Sequence, residues 1–492
     1  MSPRINKEKF NNWNKYTIFT KKIRFQGGFF NTLIFGLDPL NFFAIVDVRL
    51  YTKMDVTPCL ATSVDLERVI EKYYSTVLTQ KALDEFSDSF IPVDDEIDTE
   101  QEMLEVASAP IVKLINSIIE QAIRNKASDI HIEPSANDIR VRFRIDGDLQ
   151  EIMVLPRNNL SPIVTRIKII GKMDIAEKRI PQDGRVEMKF NDSEIDLRIS
   201  SLPTVYGEKI VLRILDKTNF NFTKEGLGFS KDDLQKLNRM IGQPYGMILV
   251  TGPTGSGKST TLYTVLRELN VASKNVITVE DPVEYKLKGI NQVQVNTKAG
   301  LTFAAGLRSI LRQDPDTIMI GEIRDAETAE IAVRAAITGH LVLSTLHTND
   351  SPSTVARLID MGLEPYLVSS ALIGIISQRL VKVLCPKCKE EYEASESEKR
   401  LMGIDADKPV TLYKPVGCNA CNNGYRGRAA VHEVMLVNEN IRRLINKGAD
   451  TDELRKQALN DGMRTLLQSA TDLALKGKTS FEEIMRAGYT LG

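Results

Sequence analysis

The sequence predicts an α/β fold, a parallel sheet covered by helices on both faces with a smaller α/β domain ahead of it, and three observations carry that prediction. Apolar runs of strand length at residues 247–251, 276–279 and 317–320 alternate with helical segments, as in a parallel sheet buried on both sides. The first run leads directly into the glycine-rich stretch Gly252-Pro253-Thr254-Gly255-Ser256-Gly257-Lys258-Ser259. Upstream, the alternating strands Arg140-Val141-Arg142-Phe143-Arg144 and Glu194-Ile195-Asp196-Leu197-Arg198 follow a helix-period apolar stretch, the mark of a second, half-buried sheet.

A chain of 492 residues suggests about three domains at roughly 150 residues each. Its 64 basic and 65 acidic side chains leave a net charge of -1, so no global field favours a polyanion and direct nucleic-acid binding is not expected. The most apolar early stretch, residues 33–46, carries Asp38 and Pro39, which are costly in lipid, so neither a membrane span nor a secretory signal is expected. Five cysteines are too few for a disulfide scaffold and suit a reducing, cytoplasmic setting.

Along the chain, residues 1–30 are basic and without period. Asp38-Pro39 starts a helix-like stretch that Thr57-Pro58 is expected to break, and Asp65-Leu66-Glu67-Arg68-Val69-Ile70 resumes helical spacing; residues 1–83 thus read as a small, partial domain. Acids from Asp84 to Glu102 repel one another and mark a linker over residues 84–105. Ile111, Leu114, Ile115, Ile118 and Ile119 then open a second domain at residues 106–222. Residues 223–384 form the nucleotide-binding core, 385–425 a cysteine module and 426–492 a helical carboxyl-terminal region.

The glycine-rich stretch fits G-x-x-x-x-G-K-[ST], and its place between a strand and a helix is what the chemistry requires. Glycines let the backbone amides curve around phosphates, the helix N-terminus adds a favourable dipole, Lys258 neutralises β/γ-phosphate charge and Ser259 holds Mg²⁺. The nucleotide-contacting set is Gly252, Pro253, Thr254, Gly255, Ser256, Gly257, Lys258, Ser259 and Thr260.

Asp316-Thr317-Ile318-Met319-Ile320-Gly321-Glu322 reads as a second buried strand delivering Glu322 to the carboxyl edge of the sheet, where it would act on Mg²⁺ through water. Thr278-Val279-Glu280-Asp281-Pro282-Val283-Glu284 places three carboxylates beyond another strand, expected beside the phosphate-loop strand, where one would activate water. His340 and His347 bracket the strand-like run 341–346; a sensing role and a plain hydrogen-bonded strand-end histidine both stand open. Cys385-Pro386-Lys387-Cys388 and Cys418-Asn419-Ala420-Cys421 give two C-x2-C pairs separated by 29 residues, four soft thiolates suited to a closed, structural Zn²⁺ site.

The order of these four segments, 252–259, 280–284, 316–325 and 338–348, is similar to the Walker A, Asp box, Walker B and His box of the type II/IV secretion ATPase superfamily. Ser128-Asp129-Ile130-His131-Ile132-Glu133-Pro134, Pro181-Gln182-Asp183-Gly184-Arg185 and Gly207-Glu208-Lys209-Ile210-Val211-Leu212-Arg213 resemble that family's N2 domain. The resemblance implies a RecA-like P-loop ATPase core, a PAS-like N2 domain, a partial N1 domain and a tetracysteine insertion, with ATP, Mg²⁺ and Zn²⁺ as ligands. It further implies a cytoplasmic homo-hexamer, recruited to the inner membrane through a platform protein, that drives pilin or pseudopilin polymerisation. Glu284 becomes the base polarising water, Glu322 its support, His340 and His347 members of the catalytic set, and Arg198 and Arg213, with Arg185 as a weaker match, the arginines reaching the γ-phosphate. A surface arginine paired with a neighbouring acid is the competing reading for each of them. The tetracysteine module points to assembly or secretion rather than retraction.

Overall fold

The computed structural model describes residues 18–24, 30–36, 45, 46, 49, 55–60, 109–190, 193–216 and 222–488. The chain divides into two compact units, Met1–Thr218 and Asn219–Gly492.

The first unit opens with a three-stranded sheet in which β1 (Ile18–Arg24) pairs antiparallel with β2 (Phe30–Gly36), and β2 pairs parallel with β3 (Asp55–Leu60). Thr57-Pro58, expected to interrupt a helix, lies within β3 instead. Because β3 is an edge strand, a proline with no N–H to donate fits there. The helical spacing expected at residues 65–70 and the acidic linker at 84–105 fall outside the described residues.

The second sheet of this unit has six strands, all antiparallel: β4 (Asp129–Pro134), β5 (Asp138–Ile145), β6 (Asp148–Pro156), β7 (Gln182–Phe190), β8 (Ser193–Thr204) and β9 (Gly207–Asp216), in the order β6-β5-β4-β9-β8-β7. Helices α1 (Ala109–Arg124) and α2 (Leu160–Gly171) accompany it. The apolar stripe of α1, Ile111, Leu114, Ile115, Ile118 and Ile119, packs into one core with residues of both helices and the sheet, Ile195, Leu197 and Ile199 of β8 among them. Strand alternation therefore turns Asp196 and Arg198 to the opposite face.

The second unit contains α3 (Lys231–Ile241), β10 (Gly246–Thr251), α4 (Lys258–Leu269), β11 (Val276–Glu280), β12 (Asn291–Gln294), α5 (Phe303–Ile310), β13 (Thr317–Ile320), α6 (Ala326–Ile337), β14 (Leu341–Leu346), α7 (Ser351–Asp360), α8 (Pro365–Ala371) and β15 (Leu372–Leu384). There follow β16 (Glu390–Glu393), α9 (Glu396–Leu401), β17 (Thr411–Lys414), β18 (Tyr425–Leu436), α10 (Glu439–Asn446), α11 (Thr451–Asn460), α12 (Leu466–Leu475) and α13 (Phe481–Gly488).

Its seven-stranded sheet runs β12-β11-β13-β14-β10-β15-β18 and is parallel except for the antiparallel β15/β18 pair. Every residue of β10, β11, β13 and β14 is buried, as a sheet covered on both faces requires. Alternation splits the strands between two cores: Met247 and Leu249 pack with α5, α6 and the α10–α11 region, whereas Ile248 and Val250 pack with α3 and α4. A third core joins the insertion between β15 and β18 to the last two helices, through Met402, Val410 and Leu412 on one side and Leu466, Ala470 and Ile484 on the other.

The strand expected beside the phosphate-loop strand is not its neighbour. Between β11 and β10 lie β13 and β14, so the loop after β14 stands between the Glu322 segment and the phosphate loop.

Candidate active site and metal centre

The loop from Gly252 to Gly257 connects the carboxyl end of β10 to α4. Gly252 sits at φ +142, and a Cβ there would lie 2.4 Å from the Gln378 carbonyl oxygen; at Gly257, φ +90, it would lie 2.7 Å from the Gln378 amide nitrogen. Any side chain at either position would collide with β15 and strain the backbone. Among the described residues no side chain caps α4, whose N-cap is Gly257, so its first-turn amides are available to an anion. Gln378 ties the loop down from below, donating from Nε2 to the Ser256 carbonyl oxygen at 2.7 Å and accepting from Thr261 Oγ1 at 2.7 Å. Ser256 Oγ is buried with no hydrogen-bond partner among the described residues. A cradle too tight for side chains, with uncapped amides and a cationic neighbour, fits a nucleotide polyphosphate.

That cation is Lys258, whose Nζ donates to the carbonyl oxygens of Gly252 at 2.7 Å and Pro253 at 3.1 Å. Burial holds its pKa down to about 8; the Glu322 carboxylate opposes the shift and Arg379 adds to it. Glu322 therefore shares an electrostatic field with the phosphate-loop lysine. Its carboxylate accepts from Arg324 and lies 3.3 Å from His347 Nε2. Burial works against ionisation of Glu322, but Arg324 and His347 outweigh it and keep the carboxyl below the ordinary glutamate range.

The three carboxylates at the end of β11 and just beyond it, Glu280, Asp281 and Glu284, take different places. Glu280 is buried and occupied by Tyr263 Oη, by Thr278 Oγ1 at 2.6 Å and by Gln292 Nε2 at 3.1 Å; it is a structural acceptor. Tyr263, on the phosphate-loop helix, also accepts from the Glu284 backbone N–H at 3.1 Å. One phenol thus anchors the acidic segment to α4. Asp281 is exposed and Glu284 half-buried.

The two histidines are separated by the strand they bracket. His347 follows the carboxyl end of β14, on the phosphate-loop edge, while His340 precedes its amino end and its Nδ1 lies 3.0 Å from the Ala335 carbonyl oxygen at the close of α6. At about 3.3 Å per residue the seven steps between them put the two about 23 Å apart. Within one chain only His347 joins the Glu322 cluster.

Arg198 and Arg213 belong to the first unit, where they are direct cross-strand partners, and Arg185 pairs with Arg198 on the other side. Asp129 lies opposite both Arg213 and Arg144, so one face carries the row Arg144, Asp129, Arg213, Arg198, Arg185. Arg213 Nε bonds Asp129 Oδ1 at 3.0 Å while remaining 54% exposed, and Arg185 bonds the buried Asp196 at 2.6 Å.

The cysteine pairs close on one another at the far end of the β15/β18 pair. Sγ separations are 3.9 Å for Cys385 and Cys418, 3.6 Å for Cys388 and Cys421, and 3.6 Å for Cys418 and Cys421. Four thiolates at about 2.3 Å from Zn²⁺ in a tetrahedron stand about 3.8 Å apart, so the donor set fits that ion. The four are free cysteines rather than disulfides, and all four Sγ lie within 4.8 Å of one another. The 29 residues between the pairs fold as the β16/β17 hairpin with α9, whose N-terminus carries a Ser395/Glu398 capping box.

Sequence reasoning passed over Tyr263, Arg324, Gln378 and Arg379. The signal for the last two was present: Ser377-Gln378-Arg379 is a polar trio, buried in every member, inside a strand that is apolar elsewhere except at Lys382.

A phosphate-cradling loop between a buried parallel strand and a helix, with a carboxylate and histidine on adjoining strand ends, defines a P-loop ATPase. The family model described as "Type II/IV secretion system protein" matches residues 105–486, and the chain belongs to that family. It is 46% identical over 456 residues to the type IV pilus assembly ATPase PilB of Myxococcus xanthus, covering 91% of this chain and 81% of the relative. It is 50% identical over 379 residues to type II secretion system protein E of Dickeya dadantii, covering 77% and 76%. Among solved structures it resembles the pilus retraction motor PilT with bound ADP, at TM-score 0.53 and 28% identity over 76% of this chain and 96% of that one. The fold is also that of the Legionella pneumophila ATPase DotB, at TM-score 0.57, 22% identity and coverage of 76% and 94%. Among the described residues no helix is long and apolar enough to cross a membrane.

Proposed function

We propose that this ATPase is the assembly motor of a type IV pilus, working as a homo-hexamer docked on an inner-membrane platform protein and converting ATP hydrolysis into pilin polymerisation. The tetracysteine cluster closing beyond β15, on a chain 46% identical to a pilus assembly ATPase over 91% of its length, carries this reading. Type II secretion is the second reading, favoured by the 50% identity to a type II secretion protein. Deleting the gene decides between them: loss of surface pili with secretion intact, restored by the wild-type gene and not by Lys258→Ala, is expected. Intact pili with lost secretion overturns the first reading in favour of the second.

In this reading Lys258 and the α4 amides hold the phosphates; Ser259, and Glu322 through water, would hold Mg²⁺, which would supply charge neutralisation at the phosphates. Glu284 takes the proton of the attacking water. His347 orients Glu322, while His340 serves the fold as the bond at the end of α6. Arg198 and Arg213 stabilise the charge that develops on the transferred phosphoryl group. Arg213→Ala is expected to lower kcat at least about 100-fold with ATP binding retained. Arg213 is half exposed but its partner Asp129 is buried, keeping Arg144 and the Ser128 hydroxyl when Arg213 is removed, so a thermal melt run alongside separates a fall in turnover from any loss of stability. Unchanged turnover sinks the role of Arg213.

A further inference from the structure

The segment after His347 is held by three separate elements. From β15, Arg379 Nη2 donates to Asn349, 3.1 Å from Oδ1 and 3.3 Å from the carbonyl oxygen, and the Ser377 hydroxyl donates to the same carbonyl oxygen at 3.3 Å. From β18, the Glu433 carboxylate accepts from the Ser351 N–H at 2.7 Å. From α11, Arg455 Nη2 reaches Asp350 Oδ2 at 2.8 Å, while Asp350 Oδ1 caps α7 by accepting from the Ser353 N–H at 2.8 Å. His347, half exposed at the free end of this anchored segment, meets Glu322 at 3.3 Å.

Arg379 and Glu433 are both buried and form a fixed base. The α11 contact differs in kind. Arg455 and Asp350 are 36% and 20% exposed, a class of pair that adds little to stability, and the cap on α7 survives without it. A contact of small energetic worth that constrains the segment ending in a site residue acts on geometry, where a displacement of 1 Å can change turnover by orders of magnitude.

We infer that the Arg455–Asp350 ion pair is a positioning device through which the carboxyl-terminal helices set the orientation of His347 toward Glu322. Arg455 is then a positioning residue, acting only through His347. The inference rests on the reading of His347 as the residue that orients Glu322, and a double-mutant cycle on the full-length protein separates the two.

Arg455→Ala is expected to lower kcat about tenfold with KM for ATP changed less than twofold, Arg455→Lys to recover most of the loss, and the melting curve to stay in place. In a His347→Ala background, read in single-turnover assays, Arg455→Ala is expected to add less than a twofold further loss, because a residue acting through His347 has nothing left to position. Multiplicative losses, or an Arg455→Ala protein with unchanged kcat, overturn the inference. A His347→Ala protein with wild-type turnover instead removes the role of His347 itself. If Arg455→Ala fails to fold, the same cycle with Arg455→Gln carries the test.

Discussion

Glu322→Gln is expected to lower kcat by about 10³-fold while ATP still binds, an effect within the range seen on removing a group that supports the base acting on the reacting water. The substitution keeps the shape of the side chain and deletes its charge. Two groups near it respond in measurable ways. Arg324 and His347 lose the anion they share, and Lys258 loses the negative charge that holds its pKa up against burial and Arg379. With its pKa at about 8 in the free protein, Lys258 is a cation below that pH and becomes neutral as pH rises through it. ATP affinity of the free enzyme therefore falls above about pH 8. Removing Glu322 lowers the lysine's pKa further, so in Glu322→Gln that fall begins at a lower pH. Isothermal titration with a non-hydrolysable ATP analogue across pH 6.5 to about 9.5 reads the shift directly. A Glu322→Gln protein with wild-type turnover removes Glu322 from the site, and an unshifted binding profile removes its coupling to Lys258.

What was legible in the chain and what was not follows from the range of the interactions involved. The phosphate loop is local: strand, glycines and helix lie within a few turns of one another, and the backbone geometry at Gly252 and Gly257 is written in adjacent residues. The order of strands in the sheet is not local. The runs that became β10, β11, β13 and β14 are all short, apolar and buried on both faces, and nothing in their composition says that β13 and β14 separate β11 from β10. For His340 and His347 the strand between them was legible, but their fate turned on strand direction: β14 runs parallel to β10, which sends only His347 to the edge where ligands gather. Thr57-Pro58 misled because proline signals a helix break more strongly than it signals an edge strand. Tyr263 was invisible for a third reason: its partners, the Glu280 carboxylate and the Glu284 N–H, are brought to it only by the fold. Gln378 stood out as a polar residue in a mostly apolar strand, but its partner Ser256, 122 residues away, is likewise supplied by the fold.

Removing zinc is expected to loosen the carboxyl-terminal region before the nucleotide core. In the third core, Met402, Val410 and Leu412 of the insertion share packing with Leu466, Ala470 and Ile484 of α12 and α13. The insertion between the cysteine pairs is short, holding two four-residue strands and a six-residue helix, too little to fold alone. Its strands must be closed from both ends, by the thiolate cluster and by the docking on α12 and α13. Metal binding to such sites is worth on the order of 10 kcal/mol in isolated peptides, much of which the module would forfeit on chelation. Treating the reduced protein with a strong chelator, or making Cys388→Ser, is expected to lower the first melting transition by at least about 5 °C. Hydrogen exchange should rise first over residues 385–425 and α12, with β10 and β14 still protected. Elemental analysis should return about one zinc per chain before treatment, as a closed four-cysteine site holds. A native protein that carries no zinc and melts identically with and without chelator removes the metal and leaves the four thiols as packing alone. If the metal is present, β15 joins its loss to the active site, because the strand that ends at Leu384, directly before Cys385, also presents Gln378 and Arg379. ATPase activity should then decline in step with exchange at that strand rather than with global unfolding.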